Sequence, residues 1–348
     1  MKTKFKAYVG TYTNGESKGI YSFILDTSSQ KLDNIRLEAE LGNPTYLTIT
    51  SDNKYLYSVV KSGVAGGVSA YKIGDEKLCL LNSQLSEGSS PCHVSLTRTN
   101  DYLFSANYHK GEVAAYPLDK GGTVAEICSL FIHGGSGPNK ARQEKAHAHY
   151  AALAPDEKYL CVIDLGIDKL VVYSFNSNKL EKHKEISFKP GCGPRHMAFH
   201  PNGKFAYLLT ELSAEVAVLN YSKTDGTFEI LEYISSLPTN FMGENTGSAI
   251  HVSQDGNYLY TSNRGHDSIA VFKISQETGK LEVVQHISTE GSGPRDFALT
   301  PDGNFLIAAN QNSSNLVPFS IDKSTGKLSR VGDIVSLPNP VCIKFISL

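Results

Sequence analysis

Short runs of alternating apolar and polar residues fill most of the chain, and turn residues separate them. Ser268–Ile274 is one such run, and Pro301-Asp302-Gly303 is one such turn. An alternation with a period of two is typical of strands in which every second side chain faces a core. A turn of the Asp-Gly type between two such runs favours a tight hairpin. The pattern therefore predicts an all-β fold built from short, hairpin-linked strands.

One phrase recurs six times and sets the period of the fold. It contains an alternating strand, a turn and a second strand, and its copies begin at Pro44, Pro91, Ala148, Pro194, Gly247 and Pro294. These starts are 46 to 57 residues apart. A β-branched and aromatic third strand follows, and a fourth strand often opens with Gly-Lys-Leu. Four short strands in a unit of this length are typical of a propeller blade.

The two ends of the chain supply one more blade between them. Residues 7–24 read as a second and a third strand, a fourth opens at Lys31, and residues 340–348 read as a lone first strand. Pairing of residues 341–347 with residues 6–11 would close the ring and leave no open edge. The sequence thus predicts an all-β, seven-bladed β-propeller with four antiparallel strands per blade, as one domain over residues 1–348. The chain has no Trp, which excludes the Trp-Asp repeat type.

Composition excludes several classes of function. The 33 Lys and Arg residues nearly balance 35 Asp and Glu residues, so the net charge of −2 gives no reason to expect a nucleic-acid partner. No apolar run approaches the roughly 20 residues of a membrane helix, and no signal-peptide core follows Met1. We therefore expect no membrane partner and a cytoplasmic location. The six scattered cysteines favour reduced thiols, and Cys79 and Cys161 are expected in the core.

Propeller geometry places the candidate chemistry at one mouth of the central channel. The first strand of each blade starts, and the second ends, on the same face of the disc, so distant side chains meet there. The residues that open the first strands are Thr45, Cys92, His149, Arg195, Ser248, Arg295 and Val341. The residues just past the second strands are Tyr12, Lys61, Tyr108, Leu165, Glu211, Arg264 and Gln311.

The ionisable residues of these rings point to anion chemistry. They are His149, Arg195, Glu211, Arg264 and Arg295, with His147, Asp164 and Lys61 as further members. One carboxylate among several arginines suits the binding of an anion and the activation of a water molecule. The same residues could instead form a network that only ties adjacent blades. Their convergence on one mouth favours a functional site.

The longest insertion, residues 132–149, leads directly into His149. It is rich in Gly, which predicts a loop, and long loops in compact domains often carry function. Lys140, Arg142 and Lys145 could add cations to the mouth or could form an idle, solvated basic loop.

A metal cofactor is not expected. His147 and His149 lie two residues apart and would point the same way on a strand, but no third ligand falls at a fitting spacing. Calcium dependence would instead direct attention to Asn107, Asp164, Asn263 and Asn310. The sequence also lacks the G-x-S-x-G elbow and the P-loop and Rossmann glycine patterns, which argues against serine hydrolases and nucleotide enzymes.

Several segments resemble the seven-bladed propeller lactonases, and the resemblance covers essentially the whole chain. These segments are residues 8–13, 135–149, 193–203, 210–212 and 262–266. In that family the bacterial members are 6-phosphogluconolactonases, and the fungal carboxy-cis,cis-muconate lactonising enzymes share the fold. The resemblance implies active-site roles for His149, Arg195, Glu211 and Arg264. We further expect substrate contacts from Arg295, His147, Arg142 and Asn263.

The resemblance implies hydrolysis of 6-phosphoglucono-1,5-lactone, with no cofactor and a phosphorylated sugar lactone as the small-molecule partner. Arg195 or Arg264 would stabilise the oxyanion, and either Glu211 or His149 would be the general base. The alternatives are a muconate-type lactonising enzyme, a hydrolase of another sugar lactone, and a non-enzymatic scaffold that binds a protein partner at the mouth.

Overall fold

The alternating pattern becomes 29 strands in the computed structural model, which describes residues 3–176 and 178–347 and contains no helix in those ranges. In the central strands nearly every side chain is buried, because each sheet packs against a neighbour on both faces. In the outermost strands only alternate or fewer side chains are buried, as expected where one face meets water.

In chain order the strands are β1 (Lys4–Thr11), β2 (Gly19–Asp26), β3 (Lys31–Glu40), β4 (Leu47–Ile49), β5 (Tyr55–Ser62), β6 (Ala65–Ile73), β7 (Leu78–Glu87), β8 (His93–Leu96), β9 (Tyr102–Asn107), β10 (Glu112–Pro117), β11 (Ser129–Ile132), β12 (Ala148–Leu153), β13 (Tyr159–Asp164), β14 (Lys169–Asn176), β15 (Lys179–Ser187), β16 (Pro194–Phe199), β17 (Phe205–Thr210), β18 (Glu215–Ser222), β19 (Thr227–Ser235), β20 (Thr246–Val252), β21 (Tyr258–Arg264), β22 (Ser268–Ile274), β23 (Leu281–Ser288), β24 (Pro294–Leu299), β25 (Phe305–Asn310), β26 (Asn315–Ile321), β27 (Leu328–Arg330), β28 (Val335–Ser336) and β29 (Pro340–Ser347).

These strands form seven antiparallel sheets, which are the blades. Blade 1 has the order β29-β1-β2-β3, blades 2 to 6 take the strands β4 to β23 four at a time, and blade 7 contains β24 to β27, with β28 also paired to β26. The innermost strands contact one another in the cyclic order β29, β4, β8, β12, β16, β20, β24 and back to β29. The predicted seven-bladed propeller with four antiparallel strands per blade is confirmed.

The ring closes through the two ends of the chain, as the sequence predicts. Strand β29 pairs antiparallel with β1, so that Ala7 lies opposite Phe345 and Val9 opposite Ile343. The pairing extends from Phe5 to Thr11 on β1. Blade 1 therefore consists of three strands from the N-terminal end and one from the C-terminal end.

The apolar core lies between the blades. A cluster of buried side chains fills each junction, such as Ile163 and Leu208 between blades 4 and 5, and Val9 and Ile307 between blades 7 and 1. All six cysteines are free thiols. Cys161 is buried as predicted, but the prediction for Cys79 is wrong: it lies exposed on the outermost strand β7, where apolar alternation does not imply a core.

No helix in the described ranges has the length and apolar character needed to cross a membrane.

Deletion of residues 341–348 should destabilise the propeller, because it removes β29 and leaves the hydrogen-bonding edge of β1 unpaired. We expect aggregation, or a lower unfolding temperature, by size-exclusion chromatography and thermal circular dichroism. A circular permutant opened in the turn between β20 and β21, with the native ends joined by a short linker, keeps all four strands of blade 1 and should remain a stable monomer. A truncated chain that is monomeric and equally heat-stable would contradict the closure.

Candidate functional site

Three of the predicted mouth residues occupy β-bulges at the start of inner strands. His149 lies between Ala148 and Tyr150, which both pair with β13, and has no partner of its own. Arg195 and Arg295 occupy the same position at the starts of β16 and β24. An extra residue in a bulge departs from the sheet's alternation and can be aimed elsewhere. The bulges explain why these three side chains reach the channel mouth.

Two aspartates hold the connectors that carry the arginines. Asp168 accepts the N–H groups of Gly191 (2.7 Å) and Gly193 (2.8 Å), which lie four and two residues before Arg195. Asp267 accepts the N–H of Gly293 (2.8 Å), which lies two residues before Arg295. Gly193 and Gly293 have φ angles of 60° and 70°, which favour glycine. The Gly-x-Gly-Pro-Arg sequence is therefore a clamped turn that fixes where each arginine begins.

The long loop contributes Arg142 to the site and is also tied down. The adjacent Gln143 is fully buried, and its Nε2 donates to Asp168 Oδ1 and to the carbonyl oxygen of Leu165, both at 2.8 Å. Asp168 thus connects the Arg142 loop to the connector that carries Arg195. Lys140 and Lys145, which could have added cations, are exposed outside the cavity.

A buried carboxylate joined to three arginines forms the centre of the site. Glu211 follows β17, and its side chain is only 6% exposed. Its Oε2 accepts from Arg195 Nε (2.9 Å) and lies 3.0 Å from Arg264 Nη2, while Oε1 pairs with Arg142 Nη2. Burial opposes ionisation of Glu211, but the nearby cations, Arg264 foremost, outweigh it and hold the pKa of the carboxyl well below its usual range.

Arg195 and Arg264 each also donate a hydrogen bond to a backbone carbonyl. Arg195 Nη1 donates to the carbonyl oxygen of Ser248 (2.7 Å), and Arg264 Nη2 donates to that of Gly247 (3.2 Å). Burial and the neighbouring guanidinium groups of Arg195 and Arg295 lower the pKa of Arg264 to about 9, so it stays protonated at neutral pH. The Arg195 side chain is 4% exposed and that of Arg264 17% exposed, so Arg264 is the more accessible of the two.

His149 is a neutral imidazole at the edge of this cluster. Burial, together with the positive charge of Arg195, holds its pKa well below the ordinary value of 6.5. Its Nδ1 is buried without a hydrogen-bond partner among the described residues. The ring lies edge-on to Tyr108, with centroids 5.8 Å apart. Burial also raises the pKa of the nearby Cys92 thiol to about 11, so Cys92 is not a ready nucleophile.

Most of these groups border one cavity of about 550 Å³ at the channel mouth. Glu211, Arg264, His149 and Arg142 line one part of it. The remaining lining residues are Tyr12, Asn43, Thr45, Lys61, Ser89, Ser90, Pro91, Cys92, Tyr108, His109, Thr246 and Arg295. Arg195 lies below, against a smaller cavity that His149 and Arg295 also line. The structure thus brings together every predicted catalytic residue and two of the four predicted substrate contacts.

The other two predicted contacts, His147 and Asn263, do not line the cavity. The Nδ1–H of His147 donates to the carbonyl oxygen of Tyr108 (2.8 Å), and the two rings stack at 4.1 Å. The Asn263 side chain is buried and bonds to Ser236, donating to its carbonyl oxygen and accepting from its hydroxyl. Both side chains therefore brace the chain around the mouth.

The residues considered for calcium are likewise engaged within the protein. Asp164 accepts the N–H groups of His147 and Gly166, and it pairs with His133 at 2.7 Å. Asn107 and Asn310 donate to backbone carbonyls of the connectors that enter their own blades. Across residues 3–176 and 178–347, no group of three His, Cys, Asp or Glu side chains has the arrangement of a metal site.

Sequence reasoning missed several polar residues of the lining. Asn43, Ser89, Ser90 and Thr246 lie in connectors just before or at the start of inner strands. In the sequence, only their position just before the first strand of a blade indicates this role, because the connector to an inner strand must cross the mouth.

Comparison with known proteins is consistent with this geometry. The family model described as "Lactonase, 7-bladed beta-propeller" matches residues 6–345. A 6-phosphogluconolactonase of Bacillus subtilis (strain 168) is 48% identical over 346 residues, covering 99% of each chain. A crystal structure of a Lactobacillus plantarum protein has a TM-score of 0.96 at 37% identity, covering 99% of this chain and 100% of that one. The periplasmic gluconolactonase PpgL of Pseudomonas aeruginosa has a TM-score of 0.92 at 31% identity, covering 99% of each.

Replacement Glu211→Gln should lower the free energy of unfolding at pH 7 by roughly 3–5 kcal/mol, since it leaves buried guanidinium groups without a counter-charge. The folded-state pKa of Glu211 is lowered, so its stabilisation is complete above the ordinary value of 4.5 and fades as the pH falls toward the folded-state pKa. Urea unfolding of both proteins at pH 7 and in acid would measure this. Glu181→Gln, which breaks only an exposed pair with Lys179, is the control and should change little. Equal effects of the two changes would contradict the buried cluster.

Proposed function

The chain belongs to the seven-bladed β-propeller lactonase family and is a lactonase, and from that premise we propose that it hydrolyses 6-phosphoglucono-1,5-lactone to 6-phosphogluconate. The name of the Bacillus subtilis relative supports the choice of substrate. So does a mouth cavity lined by four Lys and Arg side chains and a single carboxylate, because the substrate carries a phosphate and develops an oxyanion. The reaction belongs to the pentose phosphate pathway, and the cytoplasmic location stays a prediction.

The observation that carries the mechanism is the neutral His149 beside the arginine-held Glu211. Hydrolysis of a lactone requires a water molecule to lose a proton as it attacks the carbonyl carbon. His149 is neutral at physiological pH and can accept that proton. When the tetrahedral intermediate collapses, the imidazolium returns the proton to the ring oxygen, whose bond to the carbonyl carbon breaks. The ring oxygen becomes a hydroxyl group and the carbonyl carbon becomes a carboxylic acid, which ionises.

Glu211 is better suited to hold charges than to accept the proton. Its two oxygens already receive three guanidinium groups, and its lowered pKa makes it a weak base. Its negative charge favours the imidazolium form of His149, which exists only during the reaction. The choice between these two residues, open from the sequence, therefore falls on His149 as the base and on Glu211 as the group that orients the arginines.

Arg264 is the residue that we assign to the oxyanion. It lines the main cavity, whereas Arg195 lies beneath it, and its guanidinium is fixed by Glu211 and the carbonyl of Gly247. A donor that is already oriented stabilises the developing charge without reorganising. Because His149 supplies the proton transfer and Arg264 the positive charge, the proposed reaction is independent of metal ions.

Lactonase kinetics on single and double variants test this arrangement. His149→Gln should reduce kcat by roughly 10²–10⁴-fold through loss of general-base help. Arg264→Ala should cost roughly 10²–10³-fold, as does deletion of an oxyanion donor. The effects of Glu211→Gln and Arg264→Ala should combine to far less than their product, since both residues belong to one ion cluster. The surface variant Glu181→Gln serves as the control. Near-normal kcat/KM in folded His149→Gln and Arg264→Ala would place the chemistry elsewhere.

The substrate and the metal requirement need a separate assay. A pH-stat measurement on 6-phosphoglucono-1,5-lactone, glucono-1,5-lactone and a muconolactone, with and without a chelator, should show the highest kcat/KM on the first and no chelator effect. Preference for the muconolactone would favour the lactonising branch. Loss of activity with chelator would contradict metal independence.

The pH profile tests the assignment of a buried His149 with a lowered pKa as the general base. The base works in its deprotonated form, so activity is lost as the pH falls through its pKa. Since the pKa of His149 lies well below 6.5, kcat/KM should stay on its plateau through pH 6.5 and fall only in more acidic solution. An acid limb at pH 6.5 or above would contradict a buried His149 as the base.

A further inference from the structure

The Lys and Arg side chains at the mouth fall into two groups. Arg142, Arg195 and Arg264 are all paired with Glu211. Arg295 and Lys61 also line the cavity, but in the described ranges no carboxylate lies within 4.0 Å of either cation. Positive charge that the protein leaves uncompensated beside a cavity favours an anionic ligand.

Lys61 lies away from the glutamate cluster, and Arg295 lies at the border of that cluster, where it lines the smaller cavity beside Arg195. Lys61 belongs to β5 of blade 2 and Arg295 to β24 of blade 7, and only blade 1 separates them in the ring. Glu211 follows β17 of blade 5, three blades from blade 2 in one direction and four in the other. The uncompensated cations therefore share one arc of the mouth, and Lys61 faces the glutamate across the channel.

Hydroxyl groups fill the same arc. Thr45, Ser89 and Ser90 line the cavity between or beside the two cations. Lys61 Nζ donates to the carbonyl oxygen of Gly88 at 3.3 Å, which places the amine next to the two serines. Hydroxyl donors around a lysine are typical partners of phosphate oxygens.

The guanidinium of Arg295 is held in a fixed orientation, but it is not paired with a carboxylate of the described residues. It lies over the ring of Tyr12, 5.4 Å from the centroid, so the ring supports its face. Its backbone is fixed through the clamped Gly293 and through the Ser248 hydroxyl, which donates to the Arg295 carbonyl oxygen at 2.7 Å. A guanidinium held in this way has its N–H groups available for two phosphate oxygens at once.

We propose that Arg295 and Lys61, with the hydroxyls of Thr45, Ser89 and Ser90, form the subsite for the 6-phosphate of the substrate. This inference rests on the proposed function and adds the residues that set its specificity. Phosphate bound on this arc directs the lactone ring toward His149 and Arg264. An unphosphorylated sugar lactone can enter the same cavity but gains nothing from the two cations. Specificity for the phosphorylated lactone is then a difference in binding that these residues supply.

The test compares two substrates in three variants. Lys61→Gln and Arg295→Gln should each reduce kcat/KM on 6-phosphoglucono-1,5-lactone by about 10- to 100-fold, through loss of a charge-assisted contact. The loss on glucono-1,5-lactone should be several-fold smaller, so the ratio of the two kcat/KM values falls. The matched control is Lys72→Gln, an exposed lysine on β6 of the same blade as Lys61, away from the cavity. An unchanged ratio in Lys61→Gln and Arg295→Gln would overturn the subsite.

Inorganic phosphate gives a readout that does not depend on catalysis. Millimolar phosphate should raise the unfolding temperature of the wild-type protein and of Lys72→Gln by mass action, and much less that of Lys61→Gln. If the wild-type enzyme hydrolyses glucono-1,5-lactone but not its 6-phosphate, the proposed function fails, and the phosphate experiment alone decides on the subsite. No phosphate effect on the wild-type protein, or an equal effect on Lys61→Gln, would overturn it.

Discussion

The site depends on one constraint, which is that the buried carboxylate of Glu211 must be balanced by guanidinium groups. Taking an ion out of water costs several kcal/mol even after the protein relaxes, and only well-placed partners offset this cost. A buried ion cluster of this kind is weak support for stability, and an apolar core of the same volume would serve the fold at least as well. The contribution of the ion cluster is to position side chains. The carboxylate draws Arg142, Arg195 and Arg264 from three parts of the chain to a common point, so each is oriented before substrate arrives.

The propeller meets this demand with repeated local devices. A bulge at the start of an inner strand turns one side chain toward the mouth, and a clamped Gly-x-Gly-Pro turn fixes the strand that carries it. The devices occur in both blades that present an arginine this way, with Asp168 and Asp267 as the clamps. Since the inner strands also pack against one another around the ring, a shift in one blade is resisted by its neighbours. In the proposed mechanism, proton transfer then takes place on one side of the mouth and phosphate binding on the other.

Much of this arrangement follows from the sequence, because a repeat states where each strand begins and ends. The position of Glu211 at the mouth is one feature that the repeat predicts. The contact between Arg142 and Glu211 could not be predicted in this way, because the insertion that carries Arg142 has no repeat and buried hydrogen bonds set its course. The Asn263 side chain does not reach the cavity as predicted, because successive residues on a strand point to opposite faces. Arg264 is the neighbour whose side chain lines the mouth. The exposure of Cys79 on an outermost strand could not be predicted either, because the apolar alternation does not indicate which face of that strand packs against another blade.

The split blade has a consequence for biosynthesis. Strand β29 leaves the ribosome after the other 28 strands, and until then β1 has no inner neighbour and blades 1 and 7 have no contact through an inner strand. Arg295 and the Tyr12 ring that supports it stand on either side of the junction between these two blades. Domains often begin to fold while the chain is still being made. Here blades 2 to 6 can form during translation, but the ring around the mouth closes only after β29 has emerged, so the nascent chain cannot complete its active site before that point.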